Sequence, residues 1–344
     1  MYRQVFINDF SILGRDIVSF LNGQSSSLSL SSAIEDAFKK NPLFTNQMQL
    51  LALNAIASKF LSRSALVAWT EPYADLVEQK DFKVTIVMAG NLPLVGFHDL
   101  LTVMASGRRA MVKMSSKDNS LLPAIVKTLF SINHYWRDRI AFIDSLPADV
   151  EMIIATGGDK ASSYFKTLYH NAPGIIRGSR TSIAVITGRE SEEDLESLGK
   201  DIFLYFGMGC RSVSTLLLPE DYKLSYLTSA FSSLEHYLNS DLYRAAYRYQ
   251  KAISAVSGEW FEDGRFFIYK RDTTTPPPLG VIKVYSYSDE KSIDEYVLTN
   301  IYTIQCVVNH SYNNHFIKLG QAQYPELSDY ADGINSLEFI LKNS

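Results

Sequence analysis

Lys83-Val84-Thr85-Ile86-Val87-Met88-Ala89-Gly90-Asn91-Leu92-Pro93 is the stretch on which the fold turns. Five of its first seven residues are apolar and three are β-branched aliphatics, so it reads as a buried strand that stops in a polar turn. Upstream, residues 1 to about 78 read as mostly helical, with Gln47 to Phe60 the clearest helix. Downstream, Leu94 to Ser106 reads as a helix ended by Gly107, and Ala110-Met111-Val112-Lys113-Met114 as a second strand. Asp118 is placed to cap a helix running through Phe130. Strands follow at Ile140–Ile143, Glu151–Ala155 and Ser182–Ile186, with a helix from Asp159 to Tyr169. Short apolar strands alternating with helices predict parallel βαβ units and a doubly wound α/β sheet. In such sheets ligands bind beyond the carboxyl ends of the strands. That directs attention to Gly90-Asn91, to Lys113 through Lys117, and to Thr156 through Asp159.

A second α/β unit is expected beyond. Ser191, with Asp194 three residues on, has the spacing of a capping box and opens an amphipathic helix to about Phe206. Val213-Ser214-Thr215-Leu216-Leu217-Leu218 reads as a strand stopped by Pro219. Long helices from about Tyr222 to Gln250 and strands near Phe266 and Val281 complete the pattern. Tyr243, Tyr247 and Tyr249 with Arg244 and Arg248 read as a half-exposed helix face. Between the helix and the strand stands Phe206-Gly207-Met208-Gly209-Cys210. Two glycines allow a tight turn and close approach to a ligand, and Arg211 beside Cys210 would favour a thiolate. A lone cysteine is more often a small buried hydrophobe, so this turn alone does not decide for a nucleophile.

Composition narrows the classes. The chain has 344 residues, 46% hydrophobic and 20% charged, with a net charge of −4, enough for one large or two ordinary domains. No basic tract stands out, which argues against a nucleic-acid partner. Cys210 and Cys306 are the two cysteines, which fits a reducing cytoplasm better than a disulfide framework. Cys306 lies in an apolar run, Tyr302 to Val308, that reads as a core strand. The six histidines are scattered without zinc-site spacing, so no metal is expected. No apolar run is long enough for a membrane span, so no membrane insertion is expected.

Taken in order, the turns at Asn91-Leu92-Pro93, Val112-Lys113, Ala155-Thr156-Gly157-Gly158 and Gly207-Met208-Gly209-Cys210 resemble the motif series of the aldehyde dehydrogenase superfamily. More narrowly, residues 80 to 335 resemble the acyl-CoA reductases of the LuxC-like family, including the tail Asp329-Tyr330-Ala331-Asp332-Gly333-Ile334. The resemblance implies an aldehyde dehydrogenase-like fold: a doubly wound Rossmann-type cofactor domain plus an α/β catalytic domain. Its expected divisions are a helical segment at 1–78, a cofactor domain at 79–187, a catalytic domain at 188–312, and a C-terminal segment at 313–344. That last segment returns to the cofactor domain or makes an oligomer contact. The resemblance makes Cys210 the nucleophile on a thioester carbonyl and Asn91 a donor to the developing oxyanion. Lys113, Ser115, Ser116 and Lys117 become cofactor-binding residues beside the adenosine ribose, and Thr156, Gly157 and Gly158 the turn that meets the pyrophosphate.

Three departures sharpen the expectation. The family's glutamate after the lysine strand is a serine here, in Ser115-Ser116, and Lys117 follows, so NADPH is expected over NADH. The superfamily's water-activating glutamate has no counterpart in Ile175-Ile176-Arg177-Gly178-Ser179-Arg180. A thioacyl enzyme without a general base should hydrolyse slowly, which turns the expectation from aldehyde oxidation to acyl reduction. The later glutamate segment appears as Pro276-Pro277-Pro278-Leu279-Gly280, again without a carboxylate. The expected substrate is an acyl-CoA, with apolar surroundings that suit a fatty chain. An acyl-protein synthetase and a homodimer are the partners the resemblance raises. An acyl-phosphate reductase, using Arg177, Arg180 and Arg211, and an acyl-carrying subunit without hydride transfer stay open as alternatives.

Overall fold

The computed structural model describes residues 2–25, 28–73, 81–310 and 316–344. The divisions expected at 78/79 and 312/313 lie outside those residues. Two compact units divide the chain, one of residues 1–178 with 325–344, the other of residues 179–324.

The first unit opens with helices α1 (Tyr2–Leu21), α2 (Leu28–Lys40), α3 (Asn46–Ala55) and α4 (Arg63–Thr70). A π-helical turn, Ile56–Phe60, extends α3, so the expected helix to Phe60 is present with its last turn widened. Then follow β1 (Lys83–Val87), α5 (Phe97–Ala105), β2 (Arg109–Lys113), α6 (Leu121–Ile132), β3 (Ile140–Phe142), β4 (Met152–Thr156), α7 (Asp159–Leu168) and β5 (Gly174–Arg177). The five strands are parallel in the order β3-β2-β1-β4-β5. Side-chain alternation explains why both faces are covered. Met152 and Ile154 enter the large core built with α5 and α6, while Ile153 and Ala155 pack with Phe165 of α7 and with Tyr169 just after it.

Two expectations are corrected here. Asp118 caps no helix: α6 starts after Ser120, and the Asp118 carboxylate instead accepts the Leu94 N–H at 2.9 Å. The fifth strand of this sheet is Gly174–Arg177, a short run that the sequence reading passed over. Ser182–Ile186 belongs to the second sheet, so the second unit begins nine residues before the expected 187/188 division.

The second unit contains β6 (Thr181–Val185), α8 (Glu192–Phe203), β7 (Val213–Pro219), α9 (Leu224–Phe231), α10 (Asp241–Ser257), β8 (Phe261–Asp263), β9 (Ile268–Lys270), β10 (Val281–Tyr287), α11 (Glu290–Thr299), β11 (Ile304–Asn309) and β12 (Ile317–Lys318). Its sheet runs β12-β11-β6-β7-β10-β9-β8, parallel except for the antiparallel pair of β8 with β9. Ile183, Val185, Leu217 and Val307 pack against Ile293 of α11 on one face. Phe203 of α8 meets Phe231 and Phe267 with ring centroids 5.4 Å and 5.1 Å away. On α10, Tyr243 is buried against Phe206 and Tyr249 is exposed, as a half-exposed helix face requires.

Residues 325–344 return to the first unit and end in α12 (Ser336–Lys342). Leu327, Leu337 and Ile340 are buried in the large core. The Leu327 carbonyl lies 3.0 Å from Nε2 of His98, whose ring sits among Phe60, Trp69 and Tyr330. Burial pushes the His98 imidazole down, so it serves this bond as a neutral Nε2–H donor. Among the described residues no single helix is long and apolar enough to cross a membrane.

Candidate active site

The turn that carries Cys210 is built by a helix that stops hard. Ser191 Oγ accepts the Asp194 N–H while the Asp194 carboxylate accepts the Ser191 N–H, closing the capping box that the sequence predicts. At the other end α8 stops at Phe203, three residues short of the expected Phe206. The reason lies in the backbone: Tyr205, Phe206 and Gly207 are all left-handed, with φ of 55°, 58° and 72°. Such a conformation costs a non-glycine residue about 1–2 kcal/mol. Two consecutive aromatic residues are therefore held against their preference just before the thiol, a pattern typical of functional turns.

Cys210 is exposed at the amino end of β7. Its backbone is pinned from several sides. Ser182 Oγ on β6 donates to the Cys210 carbonyl at 2.9 Å. The Gly209 N–H donates to Ser212 Oγ at 3.1 Å, and the Ser212 N–H returns to the Gly209 carbonyl at 3.0 Å. Arg211 Nε donates to the Ala322 carbonyl. Cys306 lies on β11, 2.9 Å from the same Ser182 hydroxyl. Burial pushes its thiol up, against the pull of the Arg211 charge, so Cys306 is the protonated, packing cysteine.

In the first unit, the strand order reverses direction between β1 and β4, and such a switch point is where open α/β sheets bind ligands. Asn91 is exposed in the turn after β1, and Thr156 ends β4 with Gly157 and Gly158 after it. Gly158 is the N-cap of α7 and offers no side-chain cap, which leaves the helix N-terminus without a side-chain anion of its own at that position. Asp159 supplies a carboxylate in the first turn, and its Oδ1 sits over Gly178, 2.9 Å from where a Cβ there would lie. Lys113 ends β2, with Nζ 3.2 Å from the Met114 carbonyl. Ser115 covers Gly90 so closely that a Cβ at 90 would stand 2.2 Å from Ser115 Oγ. That hydroxyl also accepts the Lys117 N–H at 3.3 Å, while Ser116 and Lys117 are exposed. A cation at one strand end and a helix N-terminus without a side-chain cap at another are groups that fit the phosphates of a dinucleotide.

The arginines proposed for a phosphate are engaged. Arg177 is buried, its Nη1 2.8 Å from each Asp99 oxygen and 3.3 Å from Thr156 Oγ1. Arg180 Nη1 donates to the Ile304 carbonyl at 3.1 Å. Pro276 to Gly280 lead into β10, and Gly280, at φ 80°, packs on the Tyr247 backbone.

Sequence reasoning missed the acids beneath these turns. Asp118 is buried, and burial raises its carboxyl to about 6 although the Leu94 N–H pulls the other way. Asp201 is fully buried on α8, and burial raises it to about 7 against the N–H groups of Gly320 and Ala322 and the charge of Arg211. The signal for Asp201 was present: it shares the stripe of Leu195, Leu198 and Ile202, where a charge breaks the apolar period.

A family model described as acyl-CoA reductase (LuxC) matches residues 55–255, more than half of the chain. No curated protein matches. Among solved structures, aldehyde dehydrogenase 21 from Physcomitrella patens, in complex with succinate, superposes with a TM-score of 0.65 at 11% identity, covering 98% of this chain and 84% of its own. Betaine aldehyde dehydrogenase from Staphylococcus aureus gives 0.65 at 9% identity, over 91% and 76%. An aldehyde dehydrogenase from Bacillus cereus in complex with NAD+ gives 0.61 at 13% identity, over 91% and 72%. At these identities the likeness establishes the fold.

Proposed function

The chain belongs to the LuxC acyl-CoA reductase family and has the aldehyde dehydrogenase fold, and on that premise we propose that it reduces a fatty acyl-CoA to an aldehyde with NADPH. The observation that carries this reading is Cys210, exposed just beyond a run of three consecutive left-handed residues and pinned at its own carbonyl. Its thiolate attacks the thioester carbonyl, the C–S bond to coenzyme A breaks, and the acyl group remains on Cys210 as a thioester. Asn91 is the candidate donor to the oxyanion of that step. Lys113, Lys117 and the Thr156-Gly157-Gly158 turn would hold the cofactor, whose nicotinamide supplies a hydride when bound. With no carboxylate in residues 175–180 to activate water, the thioester is expected to survive until reduction. Lys117, exposed where the family carries an acid nearby, favours a 2′-phosphate and hence NADPH. The acyl-phosphate alternative is the weaker one, because Arg177 is already neutralised by Asp99 and buried.

A single-turnover experiment tests this. Radiolabelled octanoyl-CoA should label the wild type and leave Cys210→Ala unlabelled, and NADPH should chase the label into octanal faster than NADH does. Label that stays bound through NADPH addition would make the chain an acyl carrier. Label released as free acid without cofactor would refute the reductase.

A further inference from the structure

We infer that Asp201 is a positioning residue for the nucleophile turn, acting through the segment Gly320–Gln323. The inference rests on the reading of Cys210 as the nucleophile. Asp201 Oδ2 accepts the Gly320 N–H at 2.6 Å and Oδ1 the Ala322 N–H at 2.9 Å. Gln323 Nε2 donates both to the Asp201 carbonyl and to Ser212 Oγ, each at 3.1 Å. The segment thus fixed reaches the turn on both sides of the thiol. The Ala322 carbonyl receives Arg211 Nε, the residue after Cys210. Ser212 Oγ, held by Gln323, receives the N–H of Gly209, the residue before it. Every link lies within the second unit.

The cost of the arrangement argues for its use. A fully buried carboxylate is unfavourable unless hydrogen bonds compensate it, and here two backbone N–H groups offset part of that cost. Helix α8 needs no charge at this position, since its neighbours Leu198 and Ile202 are apolar and buried. What the carboxylate gains is a fixed place for a distant stretch of chain, with Gly320 at φ 84° letting that stretch turn back onto Ser197. Displacing a reacting group by about 1 Å can cost about a hundredfold in rate, so a brace on both flanks of Cys210 bears on its chemistry.

The test compares Asp201→Asn, Gln323→Leu and the double variant of the full chain in single-turnover thioacylation across octanoyl-CoA concentrations. Asn keeps one acceptor and turns an amide N–H toward a backbone donor. Leu removes the Gln323 bonds to the Asp201 carbonyl and to Ser212 Oγ while leaving the Asp201 carboxylate and its two N–H partners in place. The expected result is a maximal thioacylation rate lowered about tenfold or more in each single variant, with half-saturation unchanged. The double variant should lose less than the product of the two, because both act through one segment. If Asp201→Asn does not fold, Gln323→Leu decides. A folded Gln323→Leu with a maximal rate within about twofold of the wild type overturns the inference, as does a raised half-saturation at unchanged maximal rate. A wild type that takes no label overturns the reading of Cys210 and the inference with it, whereas a labelled wild type with equally fast variants sinks the inference alone.

Discussion

At the scale of residues, the informative groups are carboxyls that burial holds above their ordinary range. Asp118 is one, at about 6. A carboxyl so shifted binds its proton more tightly folded than unfolded. Its contribution to stability is therefore present at low pH and is lost as pH rises from about 4 to about 6, where the folded state must ionise it. A shift of about two units corresponds to about 2–3 kcal/mol. Asp201, at about 7, extends the same slope upward. His98, whose imidazole burial pushes down, adds stability as pH rises and opposes this slope. The test is therefore a difference: between pH 4 and 6 the urea midpoint of the wild type should fall relative to that of Asp118→Asn. Equal slopes for the two proteins would show that Asp118 does not titrate in this window. Asp201 left a trace in the sequence as a charge on an apolar stripe, but Asp118 left none, because what matters about it is its burial, and burial belongs to the packed chain.

At the scale of elements, the unit α8–turn–β7 was largely readable. Ser191 and Asp194 announced the helix start, Val213 to Pro219 the strand, and Gly207 and Gly209 the turn. The end of α8 was not readable, since Leu204-Tyr205-Phe206 continues the apolar period and nothing local demands left-handed aromatics. Phe206 is buried against Tyr243, and bonds from Ser182, Gln323 and Ala322 hold residues 210–212 just beyond. Gly207 takes φ 72°, and a Cβ there would meet the Ile202 carbonyl at 3.1 Å. Gly207→Ala should therefore lower stability by about 1–2 kcal/mol in urea unfolding and slow the labelling of Cys210. An alanine variant with wild-type stability and labelling would mean that the left-handed run is not needed. The strand Gly174–Arg177 was missed for a related reason. Four residues are too few for a periodic signal, and its partner β4 lies across a helix in sequence.

At the scale of the whole molecule, the last twenty residues are part of a core assembled far upstream. Fully burying a Leu or Ile side chain is worth about 1.5–3 kcal/mol, so Leu327, Leu337 and Ile340 together rival the net stability of a domain. A chain ended after Tyr324 should accordingly lose the cooperative unfolding of its first unit. Circular dichroism in urea would show it, and an unchanged transition would mean that residues 325–344 are dispensable for that core. The sequence by itself determined the alternation of strand and helix, the two α/β units, the polar turns at strand ends and the cysteine that follows the two glycines of its turn. Each of these is a local pattern of side-chain period and backbone freedom. Only the tertiary structure decided which sheet Thr181–Val185 joins, that Arg177 is spent on Asp99, and that Asp201 reaches Gly320 and Ala322. Those outcomes depend on strand order and on bonds between residues more than a hundred positions apart in the case of Asp201, distances over which no local pattern carries information.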